Sequence, residues 1–267
     1  MRDLGKHNLL GVLVDAIDRE AAVRRIIDAA TTRKPFAVSA LAVHGVMTGR
    51  DPAHRQRLNR FELLVPDGQP VRWGLNLLHR TRLRETVRGS DLTLQLVEAA
   101  ADRGLPIFFY GSHVHVLDAL VANLQRTYPQ LQIAGMESSK FRSISFEEQQ
   151  ALAARIRDAG SRIVFVGLGC PRQETFVSRL RDELSLPLIA VGAAFDYLSG
   201  SLREPPRAVQ RAGLEWLWRL MLEPRRLWRR YVLLNPIYLS LLTLQAAHVW
   251  TPQIRVGRVS ASGDLEA

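Results

Sequence analysis

Three stretches of the sequence bring together residue types suited to moving a proton beside a phosphorylated ligand. In Leu63-Leu64-Val65-Pro66-Asp67-Gly68-Gln69-Pro70 a carboxylate stands on the turn that leaves an apolar run. Gly68 allows close backbone approach there, and Pro70 suits the opening of a helix. Asp67 is therefore a candidate general base, although capping the helix that starts near Pro70 is an equally ordinary use of an aspartate. Phe108-Phe109-Tyr110-Gly111-Ser112 reads as a strand, a small-residue turn and a helix start, the arrangement that receives an anion on free backbone N–H groups. Val166-Gly167-Leu168-Gly169-Cys170-Pro171-Arg172-Gln173-Glu174 repeats it with two glycines, a proline and a polar Gln173-Glu174 pair. Such glycine turns also serve simply to join strands to helices, and neither loop holds a complete G-x-G-x-x-G or Walker pattern. Asp196, in Gly192-Ala193-Ala194-Phe195-Asp196-Tyr197, is placed either to bond a sugar hydroxyl or to hold loops together.

Metal chemistry has no sequence support: there is no D-x-D, and no His, Cys and carboxylate set has ligand spacing. His113 and His115, two apart, read as surface or capping residues. Cys170, the only cysteine, lacks a paired histidine in its motif and reads as packing; no intramolecular disulfide is available. No cofactor is expected.

These loops need strands to carry them. Strands are predicted at Leu10 to Val14, Phe36 to Ser39, Leu63 to Val65, Ile107 to Tyr110, Leu131 to Ala134, Ile163 to Val166 and Leu188 to Val191. Helical spacing of apolar residues runs through Asp18 to Ala30, Asp91 to Arg103, Val114 to Tyr128, Phe146 to Ala159 and Glu174 to Leu184. This alternation predicts an α/β domain over residues 1–200, a doubly wound and largely parallel sheet whose ligands sit beyond the carboxyl ends of the strands. The run Leu9 to Val14 is too short for a signal peptide and leads directly into acidic residues.

The chain has 267 residues and a formal charge of +10, which favours an anionic partner. Half of that excess lies between residues 203 and 230, where Arg203, Arg207, Arg211, Arg219, Arg225, Arg226, Arg229 and Arg230 outnumber Glu204, Glu215 and Glu223. Tyr231 to Trp250 is then free of charge. Residues 201–250 are read as a helical extension that lies on a membrane surface: Trp216, Trp218 and Trp228 among the arginines suit an interface. Asn235-Pro236 predicts a break between a basic and an apolar helix. Residues 251–267 read as a disordered tail. No internal repeat is present.

Together, Pro66-Asp67-Gly68, Gly89-Ser90-Asp91-Leu92, Tyr110-Gly111-Ser112, the Val166–Glu174 block, Phe195-Asp196, Gly213-Leu214-Glu215-Trp216 with Arg219, and Glu223-Pro224-Arg225-Arg226 resemble the WecG/TagA/CpsF family of bacterial glycosyltransferases, in order and spacing from about residue 9 to about residue 240. The resemblance implies a Rossmann-like domain that transfers a sugar, with inversion, from a UDP donor to a polyprenyl-diphosphate-linked glycan. The setting it implies is cell-surface polysaccharide synthesis, peripheral on the inner face of the cytoplasmic membrane. It assigns the base to Asp67 and substrate binding to Gln173 with Glu174, to the glycine turns at Gly111, Ser112, Gly167 and Gly169, to Asp196, and to Arg219, Arg225 and Arg226 over the diphosphate. Two positions depart from the family pattern. Ser39-Ala40-Leu41 keeps the hydroxyl of Thr-x-Asn and loses its amide. Thr86 stands where an arginine is common, with Arg84 and Arg88 two residues to either side as its substitutes.

Inversion without a metal needs a carboxylate to accept the proton and cations to receive the departing diphosphate. Asp67 would serve best if desolvated when the extension closes. A nicotinamide oxidoreductase should show G-x-G-x-x-G after its first strand, which Gly11-Val12-Leu13-Val14-Asp15 does not. Nucleic-acid binding fits poorly beside the long apolar run. The harder rival is a catalytically silent sugar-nucleotide-binding homologue at the membrane. The sequence leaves open the sugars, the linkage and whether the chain forms a homo-oligomer.

Overall fold

The computed structural model describes residues 1–252; most of the predicted disordered tail lies outside the described residues. At its centre six parallel strands run in the order β4-β3-β8-β7-β5-β6: β3 (Phe36–Leu41), β4 (Leu63–Pro66), β5 (Ile107–Gly111), β6 (Ile133–Glu137), β7 (Ile163–Gly167) and β8 (Pro187–Ala190). All six match predicted strands, with β6 displaced toward its carboxyl end. Alternation along each strand divides the core between the two faces. Val38, Val65, Phe109, Phe165 and Ile189 pack with α1 (Arg19–Thr32), α5 (Gly89–Asp102) and α6 (Val114–Thr127). Leu41, Leu64, Phe108, Val164 and Leu188 face the opposite side. There they meet α2 (Val43–Thr48), α3 (Pro52–Asn59), α4 (Gln69–His79), α7 (Phe146–Asp158) and α8 (Arg172–Leu180).

The predicted first strand is not part of this sheet. Residues 10–14 straddle a hairpin of β1 (Asp3–Leu9) and β2 (Val12–Ile17), antiparallel and turning at Leu10-Gly11, where both residues have positive φ. The apolar run conceals the turn because Leu10 is itself buried. The hairpin lies beside β4: the Asp15 carboxylate, 1% exposed, accepts the Leu64 N–H at 2.8 Å from that edge strand and is held by Arg25 at 3.4 Å. Burial raises the Asp15 carboxyl above the usual range, against the pull of Lys6.

After α9 (Ala194–Leu198) the extension forms α10 (Arg207–Arg211), α11 (Glu215–Leu222) and α12 (Pro224–Ala246). Contrary to the predicted break, α12 runs through Pro236. The hydrogen bond that proline cannot donate would have gone to the carbonyl of Val232, which is exposed and open to water. Contacts on either side hold the helix in place. Leu227, Tyr238, Leu242 and Gln245 lie on one buried face, with Tyr238 Oη donating to the Pro70 carbonyl at 2.9 Å. Gln245 accepts the Leu10 N–H at 2.9 Å and donates to the Asn8 carbonyl at 3.0 Å. Pro252, the last described residue, is buried and accepts from Asn8 Nδ2 at 3.2 Å.

Gln245→Leu keeps the volume but leaves the buried Leu10 N–H without its acceptor. The substitution should lower unfolding free energy by about 1–3 kcal/mol, read as a lower urea midpoint. An unchanged midpoint would mean that the helix–hairpin contact contributes nothing to stability.

Candidate active site

The carboxyl ends of β3, β4, β5, β7 and β8 open on one side of the sheet, so the loops singled out in the sequence share one crevice. Asp67 follows β4 directly, and its N–H is held by the Leu41 carbonyl at the end of β3, 3.0 Å away. It is not the cap of α4. That position is Gly68, whose φ of 86° turns the chain into the helix, and no side chain caps it. The carboxylate is left to the crevice, half-buried. Burial is the largest cause pushing its pKa up to about 7; Glu215 and Asp91 push the same way, while Arg88 and Arg219 oppose them. A carboxyl at that value is half ionised near neutrality and can accept a proton there.

Glu215 comes from the extension. Its carboxylate receives Arg88 Nε at 3.1 Å, and the same guanidinium reaches Gln210 at 3.0 Å, Asp91 at 3.4 Å and Glu204 at 3.8 Å. Arg88 is buried at the start of α5 and ties three residues of the extension to the strand exits. Of the two arginines proposed to replace the one absent at Thr86, it is the one within electrostatic reach of Asp67. Arg84 is exposed, with its carbonyl accepting from Arg72 at 2.6 Å. Arg219, on α11, is half-buried with its guanidinium 6.0 Å from the centre of the Tyr197 ring and 3.6 Å from Glu223. Its Nε is buried and donates to no described atom, and Asp67 is among the groups whose charge raises the pKa of its guanidinium. Arg225 and Arg226 are exposed at the start of α12, Arg226 bonding Glu223 at 2.6 Å.

Asp196, half-buried in α9, joins this group. Burial raises its pKa against the pull of Arg226, with Glu223, Arg219 and His113 also in reach. Thus Asp67, Arg88, Asp196, Arg219 and Arg226 converge, and Glu215 and Asp91 complete the set. Neither of the last two is among the site residues that the sequence points to. The signal for Glu215 was an acidic residue within a block otherwise rich in arginine and tryptophan.

The remaining candidates lie deeper. Ser39, Gln173 and Glu174 are buried and bonded to one another: Ser39 Oγ and Gln173 Nε2 each donate to Glu174 Oε1 at 2.9 Å, and Gln173 Oε1 accepts the Gly192 N–H at 3.1 Å. Burial raises the Glu174 carboxyl above its usual range against hydrogen bonds from Gln173, Ser39 and Cys170. This network forms a floor joining β3, α8 and the exit of β8. Gly111 and Gly167 are required by packing: a Cβ would stand 2.5 Å from the Gly167 carbonyl oxygen at the first, and 2.5 Å from the Phe195 ring at the second. The Ser112 N–H already donates to Gly167 at 3.0 Å and is not free for an anion. Gly169, with φ of 76° and nothing within 4 Å of an added Cβ, borders open space. His113 stacks on Phe141 with ring centres 4.2 Å apart.

A parallel sheet with a half-buried carboxylate of raised pKa at a strand exit, beside an extension bearing arginines, is an arrangement suited to group transfer on phosphorylated substrates. Comparison with known proteins makes the assignment specific. The family model for the glycosyl transferase WecG/TagA/CpsF family matches residues 7–251, and the chain belongs to that family of glycosyltransferases. A relative from Bacillus spizizenii (strain ATCC 23059 / NRRL B-14472 / W23) is 30% identical over 196 residues, covering 73% of this chain and 74% of its own. That protein is an N-acetylglucosaminyldiphosphoundecaprenol N-acetyl-beta-D-mannosaminyltransferase.

The raised pKa of Asp67 has a consequence for stability. Between the ordinary value near 4 and about 7, the folded chain binds more protons at this site than the unfolded chain, so stability falls as pH rises through that window. Asp67→Asn removes this dependence. It should match the wild type near pH 4 and unfold at higher urea than the wild type at pH 8; a gap that does not widen between these values would contradict the raised pKa.

Proposed function

We propose that the protein transfers N-acetylmannosamine from its UDP conjugate to a polyprenyl-diphosphate-linked N-acetylglucosamine, with inversion and without a metal, while held peripherally on a membrane. The observation that carries the chemistry is the uncapped, half-buried Asp67 with its pKa near 7 beneath an arginine-bearing extension. Asp67 takes the proton of the acceptor hydroxyl as its oxygen forms a bond to the anomeric carbon. The bond from that carbon to the β-phosphate oxygen breaks, and its electron pair leaves with UDP. Arg219, with its free Nε, and Arg88 are placed to receive the negative charge; Arg84, Arg225 and Arg226 supply further cations from the rim. In this reading arginines, rather than a metal ion, receive the charge of the departing diphosphate.

Sugar identity and acceptor are carried over from the name of the Bacillus relative and rest on its 30% identity. Membrane attachment is supported by the exposed apolar side chains of Trp216, Leu217, Met221 and Leu222 on α11 and of Trp228 and Val232 on α12, beside Arg225, Arg226 and Arg229. Among the described residues no helix is long and apolar enough to cross a membrane.

Asp67→Asn should lower turnover by about 10²–10⁴-fold, the contribution of a positioned general base; a loss under tenfold would exclude the base role, and wild-type protein that binds UDP-N-acetylmannosamine without turnover would be a silent binder. The wild-type rate should rise with pH through about 7, and Glu215→Gln should move that limb to lower pH, because the Glu215 charge raises the Asp67 pKa. Turnover should persist in EDTA. Loss restored by Mg²⁺ or Mn²⁺ would overturn the metal-free mechanism.

A further inference from the structure

Helices α4 and α12 run in the same direction, and the part of α12 from Tyr238 onward lies beside α4. Helix α4 begins two residues after Asp67, and α12 begins five residues after Arg219. Near the site Tyr238 Oη reaches the Pro70 carbonyl at 2.9 Å. One turn on, a Cβ at Gly74 would stand 2.6 Å from Tyr238 Oη and 3.4 Å from Leu242 Cδ1, so Gly74 marks the line of contact. At the far end His79 Nε2 lies 2.8 Å and Gln245 Nε2 3.0 Å from the same Asn8 carbonyl.

Two large apolar side chains border that seam without serving the core. Trp73 and Leu77 are 49% and 60% exposed, whereas the buried face of α4 consists of Val71, Gly74 and Leu75. Spaced by four residues, Trp73 and Leu77 form one stripe, and at 100° per residue it lies immediately beside Gly74. Trp73 also reaches the extension, its Cη2 being 3.6 Å from a Cβ placed on Gly213. The rise of 1.5 Å per residue sets Trp73 about 6 Å and Leu77 about 12 Å beyond the first residue of α4.

The polarity of α12 indicates what would lie there. A helix resting flat on a bilayer separates charged and apolar side chains around its circumference. Helix α12 separates them along its length: Arg225, Arg226 and Arg229 are exposed on its first turns, and from Tyr231 onward there is no charged residue, with Val232 and Leu239 exposed on the flank of the α4 contact that faces the Trp73–Leu77 stripe. Cations followed by an apolar path match an amphiphile whose anionic head lies at the site and whose tail leads away from it.

We propose that the seam between α4 and α12 is a track for the polyisoprenoid chain of a lipid diphosphate acceptor, with Trp73 and Leu77 as its outer wall. The inference rests on the lipid-linked acceptor proposed above and adds where its chain is held. Binding of isoprenyl diphosphates tests it separately from turnover. By calorimetry on the full chain, farnesyl diphosphate should bind at least about tenfold more tightly than inorganic diphosphate, in keeping with burial of a few isoprene methylenes. The double variant Trp73→Ser, Leu77→Ser should lose most of that ratio, each single variant a part of it, and Phe146→Ser, an exposed apolar residue on α7, none. Both altered sites are exposed, so the helix signal in circular dichroism and the urea midpoint should stay at wild-type values, which separates a lost wall from a lost fold. Equal wild-type affinity for the two probes, or an intact ratio in the double variant, would overturn the track. Retention of the ratio with weakened binding to phosphatidylglycerol vesicles would assign the stripe to the bilayer instead and overturn it equally. Wild-type protein that shows the farnesyl preference but no turnover with UDP-N-acetylmannosamine would overturn the donor assignment and leave the track standing.

Discussion

The arrangement of the site depends on the pairing of one buried cation. The guanidinium of Arg88 is almost wholly removed from water, and a charge so placed costs several kcal/mol unless it is met by partners of good geometry. Asp91 supplies one from its own helix; Glu204, Gln210 and Glu215 supply the rest, all from beyond the end of the α/β domain. The extension is therefore drawn onto the strand ends by a charge that the domain cannot satisfy alone. Its arrival changes the solvent around Asp67. The carboxylate loses water and gains a negative neighbour in Glu215, partly offset by Arg88 and Arg219, and its proton affinity rises to suit a base at neutral pH.

Below this charged layer lies a buried, hydrogen-bonded one with a different purpose. Ser39, Gln173, Glu174 and the Gly192 N–H are bonded to one another between β3, α8 and the end of β8, with Glu174 Oε2 buried and left without a hydrogen-bond partner among the described residues. Directional hydrogen bonds of this kind fix the spacing of these elements more sharply than apolar contacts would. Ser39, Gln173 and Glu174 thus tie β3, α8 and the end of β8 together, while Asp67, Arg88, Glu215 and Arg219 come within electrostatic reach of one another beside the strand exits. The two glycines required at Gly111 and Gly167 act likewise: they let adjacent strand ends and the Phe195 ring come close together.

How much of this was legible in the sequence follows from the range over which each signal acts. The six parallel strands were readable because β-branched and aromatic runs alternate with helical spacing, a local pattern. Asp67 was readable because a carboxylate between a buried strand and Gly-x-Pro is locally conspicuous. The hairpin was hidden, since the buried Leu10 continues the apolar run through the turn, and only Gly11 marks it. The continuity of α12 was hidden for the opposite reason: Asn235-Pro236 is a genuine local breaker, overridden by anchors at Leu227 and Tyr238 that become visible only when α4 and the hairpin are in place. Arg88 and Glu215 stand 127 positions apart, and no local pattern marks them as partners.

Asn8 ties the first hairpin to residues far later in the chain, which sets the order in which these contacts can form on the ribosome. Its carbonyl is bonded by Gln245, 237 positions later, and its side-chain amide by Pro252, later still. At synthesis rates of about 5–20 residues per second, the hairpin emerges tens of seconds before the helix that covers it. In that interval the Leu10 N–H has no protein acceptor, the surface of α4 around Gly74 is bare, and Arg88 lacks its partners from the extension. Contacts of such long separation form late. A nascent chain interrupted before residue 204 would carry a finished sheet with Arg88 lacking three of its partners and Asp67 without Glu215 beside it, so the surroundings of Asp67 take their described form only once the extension has been made.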